Sequence, residues 1–287
     1  MIIDFHVHIR ENRGDVKEFL KTMDKYNIDM AVVHPIVPGD DEMGYSDNAF
    51  VGRLIKEYPD RLMGFACVVP QEQDAVYQLE KAIGDYGLKG LKLHPALQGY
   101  STADPAMYKM AEACIKLDIP MLVHTGIINY GPARIANCDS LPLDDLAIRY
   151  PECKLVIAHG NPLGIDPSMV AKHPNVYIDT TNTFSRYVRM LPSVGPMAYE
   201  RMRKSNRILY GTDANPLNAD KRIPFNLEPL LTMDIPEEDR EKLLWGDRIF
   251  EKCGIRRDEE GDGGKTLEIR GKRRLSARDG GANYQQS

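Results

Sequence analysis

Excess positive charge, long apolar runs, paired cysteines and glycine-rich nucleotide turns are all missing from this chain. Each absence removes a class of protein. Lysine and arginine number 37 against 42 aspartates and glutamates, a formal net charge of −5. Nothing there drives binding to a polyanion, so nucleic acid is not an expected partner. No apolar stretch approaches the roughly 20 residues that span a bilayer, which removes the membrane class. The opening MIIDFHVHIRE places Asp4, His6 and His8 where a secretory leader needs unbroken apolar sequence, and it is read as a strand. Cys67, Cys114, Cys138, Cys153 and Cys253 are odd in number, scattered and free of any C-x-x-C pair. That pattern excludes a disulfide framework or a cysteine zinc site and suits a reducing cytoplasm.

What remains is a chain of 287 residues, 43% hydrophobic and 28% charged. A closed barrel of alternating strands and helices takes roughly 250 residues as one unit, so the expected division is 1–255 as barrel and 256–287 as extension. The extension, RRDEEGDGGKTLEIRGKRRLSARDGGANYQQS, has few sizeable apolar side chains and many charges. Such a stretch buries too little surface to offset its ordering entropy, and a flexible tail is expected. Gly264-Lys265-Thr266 imitates the end of a phosphate-binding loop, but Glu259 stands where the first glycine belongs and no strand precedes it.

One rhythm fills the body. Short β-branched or apolar runs occur at Ile2–Ile9, Met30–Ile36, Leu62–Val69, Leu88–His94, Met121–Thr125, Leu155–His159, Val176–Thr180 and Ile208–Thr212. Between them apolar residues take helical spacing, as at Val16, Phe19, Leu20 and Met23, or Val76, Leu79 and Ile83. Strict alternation with long crossovers implies a parallel sheet, and eight repeats predict a (β/α)8 TIM barrel of the α/β class. An open doubly wound sheet is the alternative, but its glycine-rich first turn is replaced by HIRENRGD. Trp245 is expected in the outer ring with the last helices, through Pro236–Gly254.

Six of the seven histidines fall at or near the C-terminal ends of predicted strands: His6, His8, His34, His94, His124 and His159. Barrel enzymes assemble their sites on that rim, because loops from different strands converge there. Alternation puts His6 and His8 on one face, about 6.6 Å apart along the strand, with Phe5 and Val7 facing the helix layer. Leu155, Ile157 and His159 share a face by the same parity. Asp213 leaves the eighth strand on the same rim. Imidazoles with one carboxylate suit a divalent ion such as zinc, manganese or iron, with a position open for water. A lone H-x-H is weak evidence; His124, His159 and Asp213 beside it make the metal reading the leading one. His34 reads more as a structural cap, His94 equally as pocket lining or turn, and His173 as a packing residue.

DFHVH, GLKGLKLHP, VHTG, AHGNP and YGTDANP together resemble the amidohydrolase superfamily over roughly residues 1–255. Within it, the chain looks like the amidohydrolase-related branch that includes aminocarboxymuconate-semialdehyde decarboxylase. The resemblance implies His6, His8, His124 and Asp213 as metal ligands, with His159 contacting the reacting water or substrate. Lys92 shares a face with His94, and in binuclear relatives a lysine on this strand bridges two metals, which leaves the metal count open. WGDR replaces a common asparagine-alanine pair, and HGNP follows the sixth strand. Relatives are often dimers, so a homodimer is the expected assembly if there is one.

The expected reaction is hydrolysis of an amide, lactone or ester of a small molecule, zinc being the first choice of metal. Asp213 or His159 would move the protons, each transfer contributing typically 10²–10⁴-fold. Arg10, directly after strand 1, and His94 are the candidate substrate contacts; a guanidinium there suits a carboxylate. Arg134, Arg186 and Arg189 are weaker candidates, and the loop Ile127–Ser140 is a candidate cover. Asp4 reads as a buried anchor in need of a hydrogen-bonding partner. Non-oxidative decarboxylation of an aromatic or enoic acid is the rival chemistry on the same site. A non-catalytic binding protein is the rival of another class.

Overall fold

A computed structural model describes residues 1–245 and 249, leaving aside 12, 41–43, 127, 129 and 130; of 37–40, 44 and 45 the backbone alone is described. The polar tail with its Gly264-Lys265-Thr266 segment, Cys253 and residues 246–248 of WGDR lie outside the described residues. Eight parallel strand positions follow one another around a closed sheet. They are β1 (Ile3–Val7), β2 (Met30–Val33), the pair β5 (Leu62–Gly64) and β6 (Ala66–Cys67), β7 (Leu91–Leu93), β8 (Met121–His124), β9 (Leu155–Ala158), β10 (Val176–Asp179) and β11 (Ile208–Leu209). Hydrogen bonding runs β1-β2-β5 and β6-β7-β8-β9-β10-β11. Phe65 joins the two runs: its N–H donates to Val33 O at 3.0 Å, and the next N–H, of Ala66, donates to Gly90 O at 2.7 Å.

The ring closes between the last strand and the first. Phe5 N donates to Tyr210 O (2.8 Å), Asp213 N to His6 O (2.7 Å) and His8 N to Ala214 O (2.8 Å). No sheet edge is left there, which settles the barrel over the open alternative. Between Asp4 and Val7, β1 spends three steps where β2 spends two from Ala31 to Val33. That extra residue is a β-bulge, and it breaks the alternation of faces. Phe5 therefore packs inside, its ring 5.5 Å from Phe65 and perpendicular to it. Val7 faces the helix layer as expected; Phe5 does not.

Ile3, Phe5, Val32, Met63, Phe65, Leu122, Val156, Ala158, Tyr177 and Leu209 form the interior layer of the barrel. Trp245 packs against this layer with Ile249, so it closes the barrel's interior rather than sitting in the outer ring. The larger cluster lies between strands and helices and includes Leu155, Ile157, Phe19, Met23, Leu79, Met107 and Met110. Local signals place the helices. α1 (Val16–Lys25) begins where Asp15 accepts from Lys17 N, and it buries Phe19 and Met23, one turn apart. α3 (Ala75–Tyr86) stops at Gly87, whose φ of 76° suits glycine. β3 (Ile36–Asp40) and β4 (Gly44–Ser46) form an antiparallel pair beyond the second strand. This hairpin is not predicted from sequence, because proline and glycine in IVPGD read as loop.

Candidate metal centre

β1 supplies two imidazoles at its C-terminal end. His6 Nδ1 lies 2.8 Å from Asp179 Oδ2, and both side chains are fully buried. His8 Nδ1 lies 2.9 Å from His34 O. An imidazole paired at Nδ1 to an acceptor keeps its proton there and turns the Nε2 lone pair outward, the usual arrangement in a metal-ligating histidine. One ring nitrogen of each histidine and a carboxylate oxygen of Asp213 all lie within 4.8 Å of one another. His8 Nε2 is 3.4 Å from Asp213 Oδ1. Asp213 reaches inward because the chain leaves β11 at a φ of 55°.

His124, at the end of β8, lies beside this trio rather than within it. Its Nδ1 is 3.0 Å from His159 Nε2, and its ring stacks on His94 at 3.8 Å and 15°. Its Nε2 is buried without a hydrogen-bond partner. A buried acceptor of that kind costs about 1–3 kcal/mol unless something completes it. His159 enters the site by a different route from the one parity suggests. Leu155 and Ile157 face the helix layer, and a φ of 58° at His159 swings its ring inward, 5.1 Å from that of His6. His94 lines the site by that stack and also holds the turn, since its Nδ1 accepts from Leu97 N at 3.4 Å. His34 is structural: its Nε2 donates to Phe5 O at 2.8 Å. His173 packs at the end of α7 (Asp166–Lys172), away from these groups, against Asp144.

Burial is the main force on the charges. It drives His6, His34, His94 and His124 well below the ordinary imidazole value, with Lys92 or neighbouring histidines adding to the effect. His8 falls to about 4 for the same reason, although Asp213 opposes it. These rings are therefore neutral near pH 7, the form that binds metal. Burial would raise Asp213, yet attraction to His8, His159 and Arg222 outweighs it and keeps the carboxyl below its ordinary range. Lys92, fully buried on β7, has its pKa lowered to about 8 by desolvation, and its Nζ is 3.1 Å from His6 Nε2. Neutral nitrogens, an ionised carboxylate, oriented Nδ1 atoms and an orphaned Nε2 fit a divalent ion.

Asp4 is the expected anchor, bonded to Thr212 Oγ1 at 2.5 Å and Thr212 N at 3.0 Å. Arg10 lies near enough to His8 to lower its basicity. Arg134 and Arg186 are exposed. Arg189 is used structurally, on the helix α10 (Ala219–Leu231). Pro229 has no N–H for the Phe225 carbonyl four residues earlier, and Arg189 Nε donates to that oxygen at 2.8 Å. In the loop Ile127–Ser140, residues 127, 129 and 130 lie outside the described residues.

Sequence reasoning missed three participants. Asp179 orients His6, Asn182 Nδ2 donates to Asp213 Oδ2 at 2.9 Å, and Arg222 stands 3.8 Å from the same oxygen. The signal was present for the first, because Asp179 ends the seventh strand in the parity of Tyr177, which faces inward.

The chain belongs to the amidohydrolase family, whose model matches residues 3–247. No curated protein matches it. An uncharacterized TIM-barrel protein from Bordetella bronchiseptica is similar at a TM-score of 0.70 and 19% identity, over 88% of this chain and 99% of that one. 5-Carboxyvanillate decarboxylase from Sphingomonas paucimobilis is similar at 0.66 and 16%, over 87% and 98%. A probable 2-pyrone-4,6-dicarboxylic acid hydrolase from Acinetobacter baumannii is similar at 0.59 and 17%, over 88% and 99%. Likeness at these identities speaks to the fold, a TIM barrel.

Proposed function

We propose that this protein is a metal-dependent hydrolase of a small molecule bearing a carbonyl group (amide, lactone or ester) and a carboxylate. Zinc is the first choice of metal, with manganese or iron as alternatives. The observation that carries the reading is the convergence of a ring nitrogen of His6, a ring nitrogen of His8 and a carboxylate oxygen of Asp213 within 4.8 Å. His124 is assigned as a further ligand through its orphaned Nε2. A bound divalent ion supplies Lewis acidity toward a carbonyl oxygen and lowers the pKa of water toward about 7. Asp213, ionised and on the rim, accepts the proton released as water attacks and passes it to the leaving group. If His124 offers Nε2 to the ion, its proton sits on Nδ1 and His159 Nε2 must accept it. His159 then orients His124 and keeps its own proton on Nδ1. Arg10 and the stacked His94 are assigned to the substrate, the guanidinium to its carboxylate.

The likeness to 5-carboxyvanillate decarboxylase favours a second reading on the same residues, non-oxidative loss of carbon dioxide from an aromatic acid. Among the described residues no helix is long and apolar enough to cross a membrane. Cys67, Cys114, Cys138 and Cys153 are buried thiols outside any disulfide, which supports a reducing cytoplasm as the place of work. The test is metal analysis of the purified full chain followed by a panel of lactones, amides and hydroxybenzoates in ¹⁸O-water. Hydrolysis puts one labelled oxygen into the product; carbon dioxide released without label in the aromatic product selects the second reading. Protein that retains no divalent ion and turns over neither class overturns both.

A further inference from the structure

The turn that follows β10 is strained at one residue. Asn182 has φ 52° and ψ −69°, and across it Thr183 N donates to Thr181 O at 2.5 Å. This is the γ-turn with positive φ, a rare and costly conformation for any side chain beyond glycine. Such a residue persists where its surroundings over-determine it, and the strain then points toward a task.

Asn182 is held at three atoms. Its N–H donates to Asn226 Oδ1 at 2.8 Å. Its Nδ2 donates to Asp213 Oδ2 at 2.9 Å, and its Oδ1 accepts from the Arg222 guanidinium. Arg222 also stands 3.8 Å from Asp213 Oδ2. Asn226, fully buried, donates from Nδ2 to Thr212 O at 3.2 Å and to Arg222 O at 2.9 Å. The two oxygens of Asp213 are thus divided. Oδ2 is occupied by Asn182 and Arg222, and Oδ1 faces His8 Nε2 at 3.4 Å.

The geometry assigns to Asn182 and Arg222 the role of a clamp that holds Asp213 by Oδ2 and presents Oδ1 to the metal. This inference rests on the metal-centre reading above and adds two positioning residues to it. It explains why asparagine occupies a backbone site that suits glycine: the side chain is needed on Asp213. It also explains the second amide, since Asn226 ties the turn, the residue before Asp213 and the base of Arg222 together. A glycine at 182 would relax the turn and release the carboxylate in one step.

The test titrates metal-free full-length protein with zinc or manganese alone by calorimetry, alongside thermal melting of the metal-free forms. Partners that orient a ligating carboxylate are typically worth 10–100-fold in metal affinity. Asn182→Gly and Arg222→Met are expected to bind the ion at least about 10-fold more weakly, and Arg222→Lys to recover part of that loss. The metal-free Asn182→Gly protein is expected to melt no lower than wild type, because its strain is gone. Wild-type affinity in Asn182→Gly and Arg222→Met overturns the clamp while leaving the metal centre standing. Parallel loss of affinity and of metal-free stability in both also overturns it, since the role is then structural. Wild type that binds neither ion overturns the metal-centre reading, and the clamp with it.

Discussion

His6 and Asp179, 173 residues apart in sequence, meet at 2.8 Å inside the barrel, both side chains fully buried. The carboxylate also accepts from His159 N at 2.7 Å and from Thr181 N at 3.1 Å. Asp179 therefore fixes the tautomer of the His6 imidazole and the backbone that carries the His159 ring. Asp179→Asn is expected to lower zinc or manganese affinity by about 10–100-fold with the fold retained. Calorimetry on the metal-free protein, paired with far-UV circular dichroism, checks this. Unchanged affinity would show that His6 needs no orienting partner.

His159 separates two roles by its variants. Its Nε2 is committed to His124 Nδ1 at 3.0 Å, so its first duty is to orient that ring. His159→Ala is expected to cost about 10–100-fold in metal affinity, and His159→Gln, which keeps an acceptor, to recover part of it. A residue that served proton transfer alone would lose kcat by about 10²–10⁴-fold with metal affinity intact. Measuring both quantities on the same preparations decides the matter.

Most of this architecture was legible because its signals are local. Eight apolar runs, each ending near a histidine, carboxylate or proline, gave the strands and the rim. Parity carried the pair His6 and His8, and Asp213 stood at the end of the last strand. Parity failed wherever the backbone left the regular strand. The bulge between Asp4 and Val7 turned Phe5 inward, and a positive φ at His159 reversed a face that Leu155 and Ile157 keep. The bulge has no glycine or proline to announce it, and at the sixth strand the positive φ falls on His159 rather than on the Gly160 that follows. Asn182 and Arg222 lay beyond sequence reasoning for another reason: a clamp on Asp213 exists only once β10 and α10 are brought to the same rim. By sequence Trp245 belongs with its helix in the outer ring, whereas packing puts the ring against the barrel interior.

Gly90 offers a test of the interior packing. It precedes β7, and a Cβ built there would stand 2.5–2.6 Å from atoms of the Phe65 ring. That ring is itself held edge-on by Phe5 at 5.5 Å and His34 at 4.9 Å. It cannot withdraw without disturbing the layer beneath the candidate metal centre. Gly90→Ala is expected to destabilise the protein by about 1–3 kcal/mol, the usual cost of overpacking a filled core. Urea denaturation measures it. A variant as stable as wild type would mean that the Phe65 ring has room to move.

A pH effect is expected at a site remote from the chemistry. Asp144 lies in the first turn of α6 (Leu143–Arg149) and accepts from His173 Nε2 at 2.5 Å and from Lys172 Nζ at 2.7 Å, joining α6 to the end of α7. Those hydrogen bonds, His173 first, hold its pKa below the ordinary carboxylate range. An acid whose pKa is lowered by folding stabilises the fold while ionised, above its unfolded value of about 3.9, and ceases to do so as pH falls through the folded value. The side chain is 30% exposed, and solvent screening limits the effect to at most about 1 kcal/mol. Asp144→Asn keeps the shape and removes the charge. Its melting temperature is therefore expected to lie below that of wild type at pH 6, with the gap closing as the solution is acidified below about 4. A gap that stays constant down to pH 2 would mean that the bond to His173 acts through shape and not through charge.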